Sequence, residues 1–267
     1  MFPSSPEARV LSTIASYKMI SADMAKSLGR VESQAIVERE TAYFLEHIGD
    51  IKSAKEFTQN TRLFNYAMKA FGMADMAYAK GLMIKAMEQG IDADDALVNK
   101  LTDARYKEFV ETFNFHRHGE LTTIFDKVKQ PVVDRYVRQT LEEQAGEQNE
   151  GVRLALYFER KAGTIKNVYS ILADKALGEV VRTALGIPEA VAAGDLDAQA
   201  AMIEKRLDVE DFKDPEKVSE FLQRFSAMWE IKNPSNPVQN QLISLIQPAG
   251  SFGISVDTMM AIANLKR

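Results

Sequence analysis

Two eleven-residue stretches, RLFNYAMKAFG at 62–72 and ALGEVVRTALG at 176–186, share one apolar spacing and end on the same glycine. Leu63, Tyr66, Ala67, Ala70 and Phe71 fall at i, i+3, i+4, i+7 and i+8, and Leu177, Val180, Val181, Ala184 and Leu185 repeat those offsets 114 residues later. That spacing lays one continuous stripe along a helix. A glycine just past the stripe closes the helix by adopting a left-handed conformation. The echo is longer than one helix. YFLEHIGDIK at 43–52 returns as YFERKAGTIK at 157–166 with the same offset of 114. MIKAMEQGI from Met83 returns loosely from Met202, and the stripe Tyr106, Phe109, Val110, Phe113 returns as Val218, Phe221, Leu222, Phe225 at an offset of 112. The spacing predicts two copies of a helical unit of roughly 70 to 75 residues, too few for an open solenoid.

The rest of the chain is also helical in period, and no run of alternating apolar residues bounded by turns suggests a strand. The fold expected is all-α: a duplicated multi-helix unit joined by a long central helix from Pro131 to Lys161, interrupted near Gly146 or Gly151. Ahead of it, Val10, Ile14, Tyr17, Met24, Leu28, Val31 and Ala35, with Ser21 as the one polar interruption, step by threes and fours along one segment from about Glu7 to His47. This 3.5-residue period is the seam of a helix lying along a partner helix, with Gly29 as its expected bend. Ser53 with Glu56 reads as a capping box, Asp75 as the cap of a helix through Gln89, and Asp214-Pro215 as a helix start. Past Pro234 the chain breaks into short pieces, with helices expected from Pro237 to Gln247 and Ser255 to Leu265, the latter carrying Met259 and Met260. The divisions are an N-terminal helical segment (1–40), a first repeat (41–130), the long helix with the second repeat (131–232) and a C-terminal segment (233–267).

Composition removes several functions. A net charge of −5 and a pI near 5.4 oppose a nucleic-acid surface or an anionic membrane, both of which call for clustered Lys and Arg. No cysteine is present, so disulfides, thiolate zinc sites and cysteine nucleophiles are excluded together. No stretch reaches the roughly 18 apolar residues of a membrane span, and no cleaved signal peptide is expected.

The chemistry-bearing candidates are few. His116 and His118 in HRH read as a solvated loop, because no Cys, Asp or Glu stands at a recognised metal spacing. DADDALVNKL lacks the sixth-position glycine and twelfth-position glutamate of a calcium loop, so its aspartates read as helix caps. Glu142-Glu143 reads as a solvated helix face, and the stripes of Tyr106, Phe109, Phe113 and of Phe221, Phe225, Trp229 read as core. No phosphate loop or nucleophile elbow occurs. No cofactor or metal is expected. The residues offered for protein contact are the seam, Val10, Ile14, Tyr17, Met24, Leu28 and Val31, with Met259 and Met260; the seam packs either on the chain's own core or on another chain.

From RETAYFLEHIGDIKSAKEFTQNTRLFNYAMKAFGM through NKLTDARYKEFVETFNF, about residues 36 to 115, the chain resembles a bacterial family, the domain of unknown function numbered twelve-seventeen. The resemblance extends more loosely through the second copy. It carries no catalytic motif. What it implies is context: similar proteins are often encoded among alphaproteobacterial flagellar and motility genes. The function expected on that basis is a non-enzymatic structural or assembly protein of the flagellum, acting through helix-mediated protein contacts. Its location would be the cytoplasm, or the flagellum after export without a cleaved signal. The competing expectation is a small-molecule-binding or enzymatic domain whose pocket lies between the two repeats.

Overall fold

The structure, a computed structural model, describes residues 12–233, in which every regular element is a helix. Val10, Met259, Met260 and the two expected C-terminal helices lie outside the described residues. The amino-terminal segment is three helices rather than one: α1 (Thr13–Ser21), α2 (Met24–Glu32) and α3 (Ala35–His47). The breaks come from capping residues, not from Gly29, which lies inside α2. Asp23 leaves the helical region at φ −142°, ψ 76°, and its carboxylate accepts the Lys26 N–H at 3.0 Å. Gln34 is extended between α2 and α3. At Asp23 a side chain that satisfies an orphan N–H outcompetes the apolar period, whereas Gln34 breaks the helix without a side-chain cap.

The first unit continues as α4 (Ala54–Gln59), α5 (Thr61–Ala70), α6 (Lys80–Gln89), α7 (Leu97–Lys100), α8 (Ala104–Thr112) and α9 (Phe115–His118). Ser53 caps α4 as expected, accepting from the Glu56 N–H at 3.1 Å while Glu56 reaches back to the Lys52 N–H at 2.9 Å. Asp75 lies in a 3₁₀ turn instead of capping α6, which starts at Ala79 without a side-chain cap. The HRH segment is helical too: Asn114 caps α9 through the Arg117 N–H, and a 3₁₀ helix follows from Gly119 to Ile124. The expected long helix is a hairpin of α10 (Gln130–Gln148) and α11 (Glu150–Lys161). Asn149, between the two glycines, takes φ −157°, ψ 109° and caps α11. Gly151 serves close approach, since a Cβ there would overlap the Trp229 ring. α12 (Val168–Leu172), α13 (Lys175–Ala184), α14 (Leu196–Glu204) and α15 (Pro215–Lys232) complete the described chain.

Two hydrophobic clusters result. One is drawn from Val31 through Leu141, the other from Tyr17 and from Ala145 through Phe225. They meet inside α10, so that helix belongs to both, and the amino-terminal helices straddle them, Tyr17 going to the second and Val31 to the first. Elements recur 114 residues apart in the two: α4 with α12, α5 with α13, and the intervening 3₁₀ turns at 48–50 and 162–164. Gly72 and Gly186 close α5 and α13 at φ +69° and +65°. One expected equivalence does not hold. α10 packs along α5 and α15 along α13; Gln139 of α10 stands over Gly72 as Met228 of α15 stands over Gly186. By packing, α15 therefore answers to α10 rather than to α8. The resemblance of the 106–113 and 218–225 stripes reflects that both are buried amphipathic faces, which many helices share.

Candidate functional site

The hairpin sets charged side chains against each other where the two clusters meet. Arg138 and Glu142 lie one turn apart on α10, and Glu159 and Arg160 are adjacent on α11. Glu142, with its side chain only 2% exposed, accepts from Arg138 Nε at 2.9 Å and from Arg160 through two bonds of 2.8 and 2.7 Å. Arg138 also donates to the Leu156 carbonyl at 2.8 Å and reaches Glu159 at 3.4 Å. The Tyr17 hydroxyl donates to the other Glu159 oxygen at 3.3 Å. Burial, reinforced by the Glu159 carboxylate, pushes the Tyr17 phenol well above its usual range, so it stays a donor. A small cleft of about 280 Å³ opens here, lined by Met24, Arg138, Glu159 and Arg160.

A second ionic group crosses from the first unit to the hairpin. Glu108 on α8 accepts from Lys161 at 2.7 Å and Arg135 at 3.1 Å. Burial opposes its charge, but Lys161 and then Arg135 outweigh it and hold the carboxyl below the ordinary range. Arg105 clasps Asp103 and donates to the Gly72 carbonyl, and the Tyr157 hydroxyl donates to Asp174 at 2.6 Å. Both groups are closed: each carboxylate is held by the cations beside it, the arrangement that a buried charge requires. Neither presents a nucleophile paired with a base. Among the described residues no three His, Asp or Glu side chains converge as metal ligands.

The seam residues turn inward. Tyr17 and Val31 are 3% and 2% exposed and serve the chain's own clusters, not an open partner surface. Met24 and Leu28 are partly buried against those clusters and Ile14 is half-buried. Only Ala35, past the second break, is exposed. Tyr17 and Met24 thus join the ionic cleft, which the spacing alone did not indicate. Glu142 corrects the expectation of a solvated Glu142-Glu143 face: it is buried, while Glu143 is more exposed and pairs with Lys69 at 2.9 Å. The i,i+4 spacing of Arg138 and Glu142 was a readable signal; Arg160, eighteen residues on, was not. His116 bonds the Glu88 carbonyl at 2.9 Å, Arg117 pairs with Asp92, and His118 packs on Phe125.

The described residues thus define a class: an all-α protein with two packed helical clusters joined through a hairpin bearing a closed ionic network. No helix among them is long and apolar enough to cross a membrane. The family described as "Protein of unknown function (DUF1217)" matches residues 70–218, more than half of the chain, and the chain belongs to that family. Its fold is similar to an X-ray crystal structure of a protein from Agrobacterium tumefaciens: 47% sequence identity over 87% of this chain and 100% of that one, with a TM-score of 0.76. No curated protein matches.

Proposed function

We propose that this protein is a non-enzymatic component of the flagellar and motility apparatus that works through contacts between proteins. One observation carries the reading: the charged groups at the junction are spent on one another, while Leu121, Ile124 and Phe125, gathered in one short segment, are 39–58% exposed. Apolar surface left in water by a packed fold marks a contact face. The flagellar assignment rests on the family resemblance alone, an association rather than a physical argument. The test is a deletion strain scored for swimming, with the tagged protein followed between cytoplasm and filament. Normal swimming would reject the assignment, and the protein's location separates a cytoplasmic assembly factor from an exported component.

A second reading, a small-molecule site between the units, draws on the 280 Å³ cleft beside Arg138 and Arg160. It requires an anion to displace Glu142 or Glu159 from an arginine. Thermal-shift measurements with a panel of small carboxylates and phosphates test it; a stabilisation lost in Arg160→Gln would support it.

A further inference from the structure

The segment after α9 has its polarity reversed. Thr122 and Thr123 are fully buried, with Thr123 donating to the Ile51 carbonyl at 2.7 Å and Thr122 to the Gly119 carbonyl at 2.8 Å. Their neighbours Leu121, Ile124 and Phe125 are 58%, 50% and 39% exposed. The satisfied hydroxyls pin the backbone and hold three apolar side chains partly out in water, surface that burial against a partner would recover. Glu120 and Asp126 flank this knob, both exposed, and Lys127, the next residue, is spent on the Glu111 carbonyl at 2.9 Å.

The second unit carries the complement. A groove of about 590 Å³ lies between α1, the turn at 162–164 and the start of α15, with Phe212, Pro215, Val218 and Ala162 as its apolar lining. At 30 Å³ each it holds the volume of roughly twenty waters. Lys18 and Lys213 stand on its rim. Among the described residues the Lys18 ammonium meets the neutral Gln223 amide oxygen, at 3.2 Å, and no carboxylate, whereas Lys213 is paired with Glu210 at 2.6 Å and Glu159 within the groove is occupied by Tyr17 and Arg138.

We propose that the 121–125 knob of one copy seats in this groove of a second copy, with Glu120 or Asp126 meeting Lys18. The inference deepens the contact-protein reading above by naming one partner as the chain itself. Knob and groove are different surfaces, so the contact is head-to-tail and leads to a ring or an open filament rather than a two-fold dimer.

The test uses the full chain in analytical ultracentrifugation from low micromolar to near-millimolar concentration. The expected result is a mass that grows past the dimer with concentration. Phe125→Asp and Lys18→Glu each raise the dissociation constant at least tenfold, with unchanged circular dichroism because both side chains are at the surface. Should Phe125→Asp disturb the His118 contact and lose helix, Leu121→Ser replaces it. Mixing the two variants gives the decisive outcome: one intact knob and one intact groove remain, so the mixture stops at a one-to-one dimer. A monomer at every concentration overturns the proposal. So does an assembly indifferent to both variants, or a mixture that shows no dimer. A deletion strain that swims normally removes the flagellar assignment but leaves this contact standing.

Discussion

The two hydrophobic clusters carry a few helical elements at a common offset of 114 residues and fill them differently. In the first, Phe57, Phe64 and Phe71 pack against Phe109 of α8 and Phe113 just past its end, with Phe57 and Phe113 centroids 4.8 Å apart and Phe71 and Phe109 5.2 Å apart. At the positions 114 residues later stand Ile171, Gly178 and Leu185, and the rings are gone. The second unit has its aromatic centre elsewhere, in Phe158, Phe212 and Phe221 at 4.9–5.2 Å, between α11 and the start of α15. A helix that closes a core leaves its mark as large side chains on the face it covers. Where α8 has no counterpart by packing, those side chains have shrunk.

The largest effects should follow that division. Phe57→Ala, at a fully buried site among four phenylalanines, should cost about 3–5 kcal/mol, and the equivalent Ile171→Ala, without a ring cluster to collapse, nearer the low end of about 2–5 kcal/mol. Urea unfolding followed by circular dichroism measures both; an Ile171 variant clearly weaker than the Phe57 variant would break the comparison. Because α10 lies in both clusters, calorimetry should show one transition for the described body. Two separated transitions would mean that the shared helix does not couple the units.

The coupling itself is sharpened at Glu142. Glu142→Ala removes the carboxylate that Arg138 and Arg160 share, leaving Arg160 without an ion-pair partner and Arg138 with Glu159 alone, and should cost about 3 kcal/mol, less than the largest core variants. The triple replacement with Arg138→Met, Glu142→Leu and Arg160→Leu should recover most of that loss, since well-packed apolar groups commonly match a buried ionic cluster. A triple variant as unstable as Glu142→Ala would assign the cluster more than mutual neutralisation.

Much of this was legible before any coordinates. The helical class, the glycine stops at 72, 90 and 186 and the caps at Ser53 and Asp214 are local, and local chemistry is printed in the sequence. The amino-terminal seam misled because a 3.5-residue period survives breaks of two residues: Asp23 and Gln34 reset the chain direction while the apolar residues keep their count. The α8–α15 equivalence misled because periodicity reports which face is buried and not against what. Glu142 was misread for the same reason, its second arginine arriving from another helix. The inverted 121–125 segment carried no signal at all, since buried threonines beside exposed leucine and isoleucine reverse every expectation from composition.

Backbone effects come next in size. Gly72→Ala and Gly186→Ala should each cost about 1–2 kcal/mol, the penalty of a left-handed non-glycine residue. Gly72 is the more crowded, with Gln139 Oε1 3.4 Å from a built Cβ against 3.8 Å to Met228 Cε at Gly186, so its variant should be equally or slightly more destabilised. The smallest effect concerns acid. Glu108 has a folded pKa below its unfolded one, so its contribution is complete above the unfolded value, near 4.3, and fades as the pH falls through the folded value. For a carboxylate with a third of its side chain exposed, that contribution is under about 1 kcal/mol. Melting temperatures of the native chain and Glu108→Gln should therefore differ most above pH 5 and converge as the pH drops below 4. A gap that widens on acidification would show that Lys161 and Arg135 do not hold the carboxylate, and that α8 is joined to the hairpin by packing alone.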